Sequence, residues 1–171
     1  MADTFKTLKC PACQKEMIKI FIPSEGVNVD VCLNGCGGIY FDNREFSHFD
    51  EQHENIEEIL EATKDKSFDK VNENFPRSCP VCGARMVKNF ASPKREVQID
   101  ECYKCGGKFL DNGELQKIRA EYKTQEERSE DTMKMIYKTV GAELKALNDD
   151  LVKARASRPI LRKIFDKLFG F

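Results

Sequence analysis

Apolar and polar residues alternate at Val27, Val29 and Val31, and again at Val97 and Ile99, the period of two expected of half-buried strands. Each alternating run follows a stretch rich in Ile, Val and Phe, at 17–22 and 85–90, across the turn sequences PSEG and ASPKRE. Two β-hairpins are therefore predicted. A helix should follow each, because Asp42 and Asp111 suit an N-cap, with Glu45 and Glu114 three residues on in the spacing of a capping box. Past the first start, Phe46, Phe49, Ile56, Ile59 and Leu60 keep a helical spacing before the polar SFDKVNENFPRS, which reads as a hinge. Past the second, apolar residues thin out from Lys123 to Thr132. They return at Met133, Ile136, Tyr137, Val140, Leu144, Leu147 and Leu151 as a single stripe. The end of the chain predicts a further amphipathic helix, with Pro159 in its first turn. Ile160, Leu161, Ile164, Phe165, Leu168 and Phe169 share one face of it, opposite Arg162, Lys163 and Lys167.

The two hairpins are copies. CPACQKEMIK from Cys10 aligns with CPVCGARMVK from Cys79, and CGGIYFDNREF from Cys36 with CGGKFLDNGEL from Cys105, both at an offset of 69. Between them VNVDVC and VQIDEC align at an offset of 70, so the first copy has one residue fewer in its turn and one more between Cys32 and Cys36. The compensation keeps strand alternation in phase with the cysteines. Asn34-Gly35 is the expected place for the extra residue, since both types tolerate left-handed backbone.

Composition sharpens the chemistry. A chain of 171 residues with 33% charged residues and a mean hydropathy of −0.55 describes a soluble protein without a generous core. Its first residues show no secretory apolar region and no run approaches a membrane span, so a cytoplasmic location is expected. In a reducing compartment, CxxC pairs point to metal more than to disulfides. Cys10, Cys13, Cys32 and Cys36 make one set of four ligands, and Cys79, Cys82, Cys102 and Cys105 the other. A pair from one tight turn plus a second close pair can complete the tetrahedron of a structural zinc, giving two Zn²⁺ per chain. Iron in a four-cysteine site and thiol redox sensing are the competing readings. Gly37, Gly38, Gly106 and Gly107 would let the backbone turn and aim N–H groups at the sulfurs. Four cysteines leave no open position for a reactive water, so His48 and His53 are read as surface residues. No nucleophile triad, phosphate-binding glycine loop or paired-carboxylate motif is present, and no enzyme is expected.

With CPxC, a spacer, and then CxxCGG, an aromatic, Asp and Glu-Leu, the chain resembles the transcription-factor-IIB-type zinc-finger family, small zinc ribbons of bacterial type. Cys79, Pro80, Cys82, Cys102, Cys105, Gly106, Gly107, Phe109, Asp111, Glu114 and Leu115 carry the resemblance in the second copy. The first copy departs at Gln14, where the second has Gly83, and between Cys32 and Cys36. A small α+β fold follows: a first ribbon at 1–49, a helix and hinge at 50–76, and a second ribbon at 77–118. A helical stalk at 119–156 and an amphipathic helix at 157–171 complete it. The functional expectation is a non-catalytic zinc protein acting as an adaptor, with protein partners or self-association through the C-terminal helices. The alternative is a nucleic-acid or transcription-associated role through Arg85, Lys88, Lys94, Arg95, Lys104 and Lys108 beside Phe90 and Tyr103 in the second ribbon. Residues 153–171 carry a formal +5, which also admits a membrane-surface helix.

Overall fold

The structure is a computed structural model that describes residues 6–169, with side chains described up to 153 apart from those of 144 and 151. The chain forms two compact units, Met1–Arg128 and Ser129–Phe171. In the first unit β1 (Ile18–Ile22) and β2 (Val27–Val31) form one hairpin, and β4 (Val87–Phe90) and β5 (Gln98–Glu101) the other. Ile22 pairs with Val27 across the first turn, and the N–H of Ala91 donates to the Val97 carbonyl across the second. The two hairpins thus close at equivalent positions over turns of different length, as the compensated insertion requires.

Each copy adds a third strand that period-two patterning does not reveal, because it is only three residues long: β3 (Ile39–Phe41) and β6 (Lys108–Leu110). These short strands pair with each other, Ile39 opposite Leu110 and Tyr40 opposite Phe109. The result is one six-stranded antiparallel sheet in the order β1-β2-β3-β6-β5-β4. The polar segment expected to be a hinge therefore does not join two independently moving ribbons. It lies along the sheet, where the Asp69 N–H donates to the Gly35 carbonyl and Phe68 stacks on Gly37.

Strand alternation gives the sheet two apolar layers. One gathers Val29, Val31, Ile39, Phe41, Phe46, Phe49 and Ile59 from the first copy with Ile99, Leu110, Leu115 and Ile118 from the second. The other gathers the cysteines with Leu8, Met17, Tyr40, Met86 and Phe109. A core built across the duplication buries more apolar surface than either small module could alone.

The helices depart from expectation in instructive ways. The first is broken into a 3₁₀ turn (Glu45–His48) and α1 (Glu57–Thr63). Arg119 explains the break. Its guanidinium donates to the carbonyls of Phe49, Gln52 and Glu54, pinning the intervening chain in a non-helical course. Arg119 itself lies on α2 (Glu114–Glu121). The predicted N-caps form only in half. Glu45 and Glu114 accept the N–H groups of Asp42 and Asp111, each at 2.7 Å. The helical turns themselves start after left-handed Arg44 and Gly113, without a side-chain cap. Asp111 cannot cap because its carboxylate is held by Arg77.

Thr124 then opens α3 (Gln125–Phe169), its hydroxyl accepting the Glu127 N–H. The expected boundary at 156/157 is absent, and α3 continues through Ser157 and Pro159. A proline in a helix interior removes one backbone hydrogen bond and bends the helix, a local cost that a long helix can absorb. The amphipathic face expected at 160–169 involves side chains outside the described ones. Among the described residues, no helix is long and apolar enough to cross a membrane.

Candidate metal centres

The CPxC turn and the cysteines that follow the second strand of each hairpin meet on one face of the sheet. Cys10, Cys13, Cys32 and Cys36 present four sulfurs within 4.8 Å of one another, and Cys79, Cys82, Cys102 and Cys105 do the same. The pairs Cys10–Cys36, Cys13–Cys32, Cys79–Cys105 and Cys82–Cys102 are each 3.4 Å apart. Tetrahedral zinc with Zn–S near 2.3 Å requires sulfurs about 3.8 Å apart. The eight cysteines predicted from spacing are thus brought together as the two predicted sets, free of disulfides. His48 lies in neither set: it is half exposed and pairs with Glu25 at 3.1 Å, while the still more exposed His53 pairs with Glu51.

The electrostatics call for a cation. Four thiols this close cannot all ionise unaided, so their protons partition unequally. Hydrogen bonds to Cys32 and Cys36, aided by burial, push Cys10 far above the usual thiol range. Hydrogen bonds from Cys10 and Cys36 bring Cys32 down to about 4. In the second set burial pushes Cys105 up to about 12. A divalent ion replaces the shared protons and lets all four thiolates coexist.

Backbone N–H groups supply the rest of the compensation. Those of Ala12 and Cys13 point at the Cys10 sulfur, and those of Val81 and Cys82 at Cys79. Holding this turn needs a left-handed residue after the second cysteine. Gly83 fills that position with φ +71°, whereas Gln14 adopts φ +64° and donates its side-chain amide to the Cys10 carbonyl. The departure at Gln14 is therefore accommodated by a hydrogen bond rather than by a different turn. The extra residue in the first copy uses no left-handed backbone, contrary to expectation, since neither Asn34 nor Gly35 has positive φ. Gly35 is needed for closeness instead: a Cβ there would lie 2.7 Å from the Cys13 sulfur and 2.8 Å from that of Cys32.

The double glycines have two jobs. Gly37 and Gly106 take positive φ, +73° and +82°, as a tight turn needs. Gly38 and Gly107 serve the other ribbon. A Cβ on Gly107 would lie 1.9 Å from the Tyr40 hydroxyl, and a Cβ on Gly38 would lie 2.3 Å from the Phe109 ring. Each ribbon thus inserts an aromatic side chain from its third strand over its partner's glycine.

Tyr40 goes further. Its hydroxyl lies 3.3 Å from Cys79 and 3.9 Å from Cys105, both ligands of the other centre. Burial, reinforced by the Cys79 contact, raises Tyr40 well above the usual phenol range, so it stays protonated and donates to the thiolate. The equivalent residue in the second copy, Phe109, has no hydroxyl to return. Arg77 supports the same layer, with Nη1 2.7 Å from Asp100, Nη2 2.8 Å from Asp111 and its guanidinium 4.9 Å from the Phe109 ring centroid. Neither Tyr40 nor Arg77 belongs to a spacing motif. A tyrosine and a phenylalanine at matching places in the repeat were the available clue, but their partners lie across the duplication.

No curated protein and no solved structure matches this chain. A family model described as transcription factor zinc-finger, the TFIIB-type zinc ribbon, matches residues 9–50 and 78–121, together half of the chain. Both matched segments contain a complete four-cysteine set on a hairpin. With two ribbons of that pattern built side by side into one sheet, the chain belongs to the transcription factor zinc-finger family of zinc ribbons.

Proposed function

We propose that this protein is a non-catalytic adaptor whose two zinc ions are structural and whose work is done through protein contacts. The observation that carries the reading is the closed donor set. Four buried or half-buried thiolates fill each tetrahedron, so no position is left for substrate or a reactive water. The best-formed cleft of the first unit, about 430 Å³, is lined by Asp50, Glu51, Arg119 and Arg128. Its two arginines are already committed, Arg119 to three backbone carbonyls and Arg128 to Asp50 and Glu51. The cleft's remaining polar groups, among them the Glu121 carboxylate and the Tyr122 hydroxyl, form no recognisable catalytic set.

The distribution of cations weighs against the nucleic-acid alternative. In the second ribbon Lys88, Lys94 and Lys108 are paired with Asp100, Glu127 and Glu101, and Arg95 stacks 4.4 Å from the Phe90 ring centroid. Arg77 is buried between two aspartates. Arg85, Arg95 and Lys104 make no ion pair among the described residues, a small footprint for a polyanion.

Elemental analysis of the purified full chain tests the metal, with two zinc per chain in a colourless solution as the expected result and stoichiometric iron as the contrary one. A salt titration of DNA and RNA binding tests the role. Tight binding that falls steeply with salt, and is lost in Arg85→Glu with Lys104→Glu, would replace the adaptor reading with the nucleic-acid one.

A further inference from the structure

We propose that the second unit is a dimerisation element, in which the α3 helix of one chain forms a parallel coiled coil with α3 of a second copy. Among the described residues the second unit consists of this single helix, part of a 45-residue element about 67 Å long at 1.5 Å per residue. Among the described residues nothing within its own unit covers the apolar stripe of this helix. Met133, Ile136, Tyr137, Val140 and Leu147 are 47%, 46%, 70%, 44% and 61% exposed.

The spacing identifies the occupant. Met133, Tyr137, Val140, Leu144, Leu147, Leu151 and Ala154 follow one another at steps of four and three without a break. This is a heptad repeat, with Tyr137, Leu144 and Leu151 at a and Met133, Val140, Leu147 and Ala154 at d. A period of 3.5 held over three heptads suits a supercoiled partner helix, whereas packing on a globular surface needs only the broader stripe of a straight helix. The repeat ends after Ala154, since the next a position is Arg158 and Pro159 bends the helix beyond it.

Charge selects both the partner and its direction. Among the e positions 134, 141, 148 and 155 the charged residues are Lys134 and Arg155, and among the g positions 136, 143 and 150 they are Glu143 and Asp150. A parallel pair sets g of one helix beside the following e of the other, bringing Asp150 next to Arg155 of the second copy. An antiparallel pair would set the basic e rows against each other and the acidic g rows against each other. The Asp150–Arg155 pair, made twice across the two-fold axis, is therefore the contact that favours the parallel sense.

This inference names a first partner for the adaptor reading above and rests on it only for the sense of an interaction protein. The test is sedimentation equilibrium of the zinc-loaded full chain across micromolar concentrations. The expected mass is twice the 19.6 kDa of the chain, returning to one chain in Val140→Glu with Leu147→Glu. Both residues are exposed on the single chain, so the variant should keep its fold. Zinc content at two per chain checks this. Direction is read from charge exchange. Arg155→Asp should weaken the dimer about tenfold, and adding Asp150→Arg should restore it. A chain that stays monomeric at every concentration, or a dimer untouched by the paired glutamates, overturns the proposal while leaving the zinc reading intact. A mass of three or four chains overturns the two-stranded form. A dimer that Arg155→Asp strengthens overturns the parallel one.

Discussion

Replacing Tyr40 with Phe should weaken the metal centre of the ribbon to which Tyr40 does not belong. The hydroxyl removed lies 3.3 Å from the Cys79 sulfur, and the side chain is fully buried, so water cannot enter to take its place without rearrangement. A hydrogen bond to a charged acceptor is worth about 1.5–3 kcal/mol. At about 1.4 kcal/mol per factor of ten, that amounts to roughly 10–100-fold in metal affinity, the usual cost of losing an outer partner of a ligand. The ring and its packing over Gly107 remain, so the fold should change little. Chelator competition followed by alkylation and peptide mapping resolves the two centres. Cys79, Cys82, Cys102 and Cys105 should become reactive at lower chelator concentration than in the parent chain, with Cys10, Cys13, Cys32 and Cys36 unchanged. Equal loss from both centres, or earlier loss from the first, would refute the argument that Tyr40 supports its neighbour's ligand.

Gly107→Ala should destabilise the chain by at least about 1–3 kcal/mol, because its methyl group would overlap the buried Tyr40 hydroxyl. Gly26→Ala has nothing within 4 Å and should cost about 1 kcal/mol from its positive φ alone, so chemical denaturation of the pair separates crowding from backbone strain. Arg77→Ala leaves Asp111 buried without its cation and Asp100 with Lys88 alone, and should cost about 3–5 kcal/mol by the same assay. Burial raises Glu114 to about 7, so the folded chain binds a proton there that the unfolded chain releases near the ordinary glutamate value. This contribution is fully present below about 4.5 and is lost as pH rises through about 7. Glu114→Gln should therefore match the parent's melting temperature at low pH and exceed it increasingly up to neutral pH. Gly141→Ala, at an open position on α3, should raise helical stability by about 1 kcal/mol, read by thermal circular dichroism.

The ligands, the hairpins and their compensated registers could all be read from the linear chain, because a CxxC turn and strand alternation are local constraints. The same is true of the apolar stripe on α3, which is a matter of spacing. What the tertiary structure decided is how the two copies meet. Strands of three residues carry too little pattern to announce themselves, and β3 and β6 find their partners in each other across 69 positions. That pairing turns two modules joined by an expected hinge into one sheet with a shared core. It gives Gly38 and Gly107 a second reason to be glycine and sends Tyr40 to a foreign metal centre. Arg119, two residues before the end of α2, breaks another helix by claiming its carbonyls. Such effects depend on which groups are close in space, and sequence separation conceals them until the long-range pairing is known.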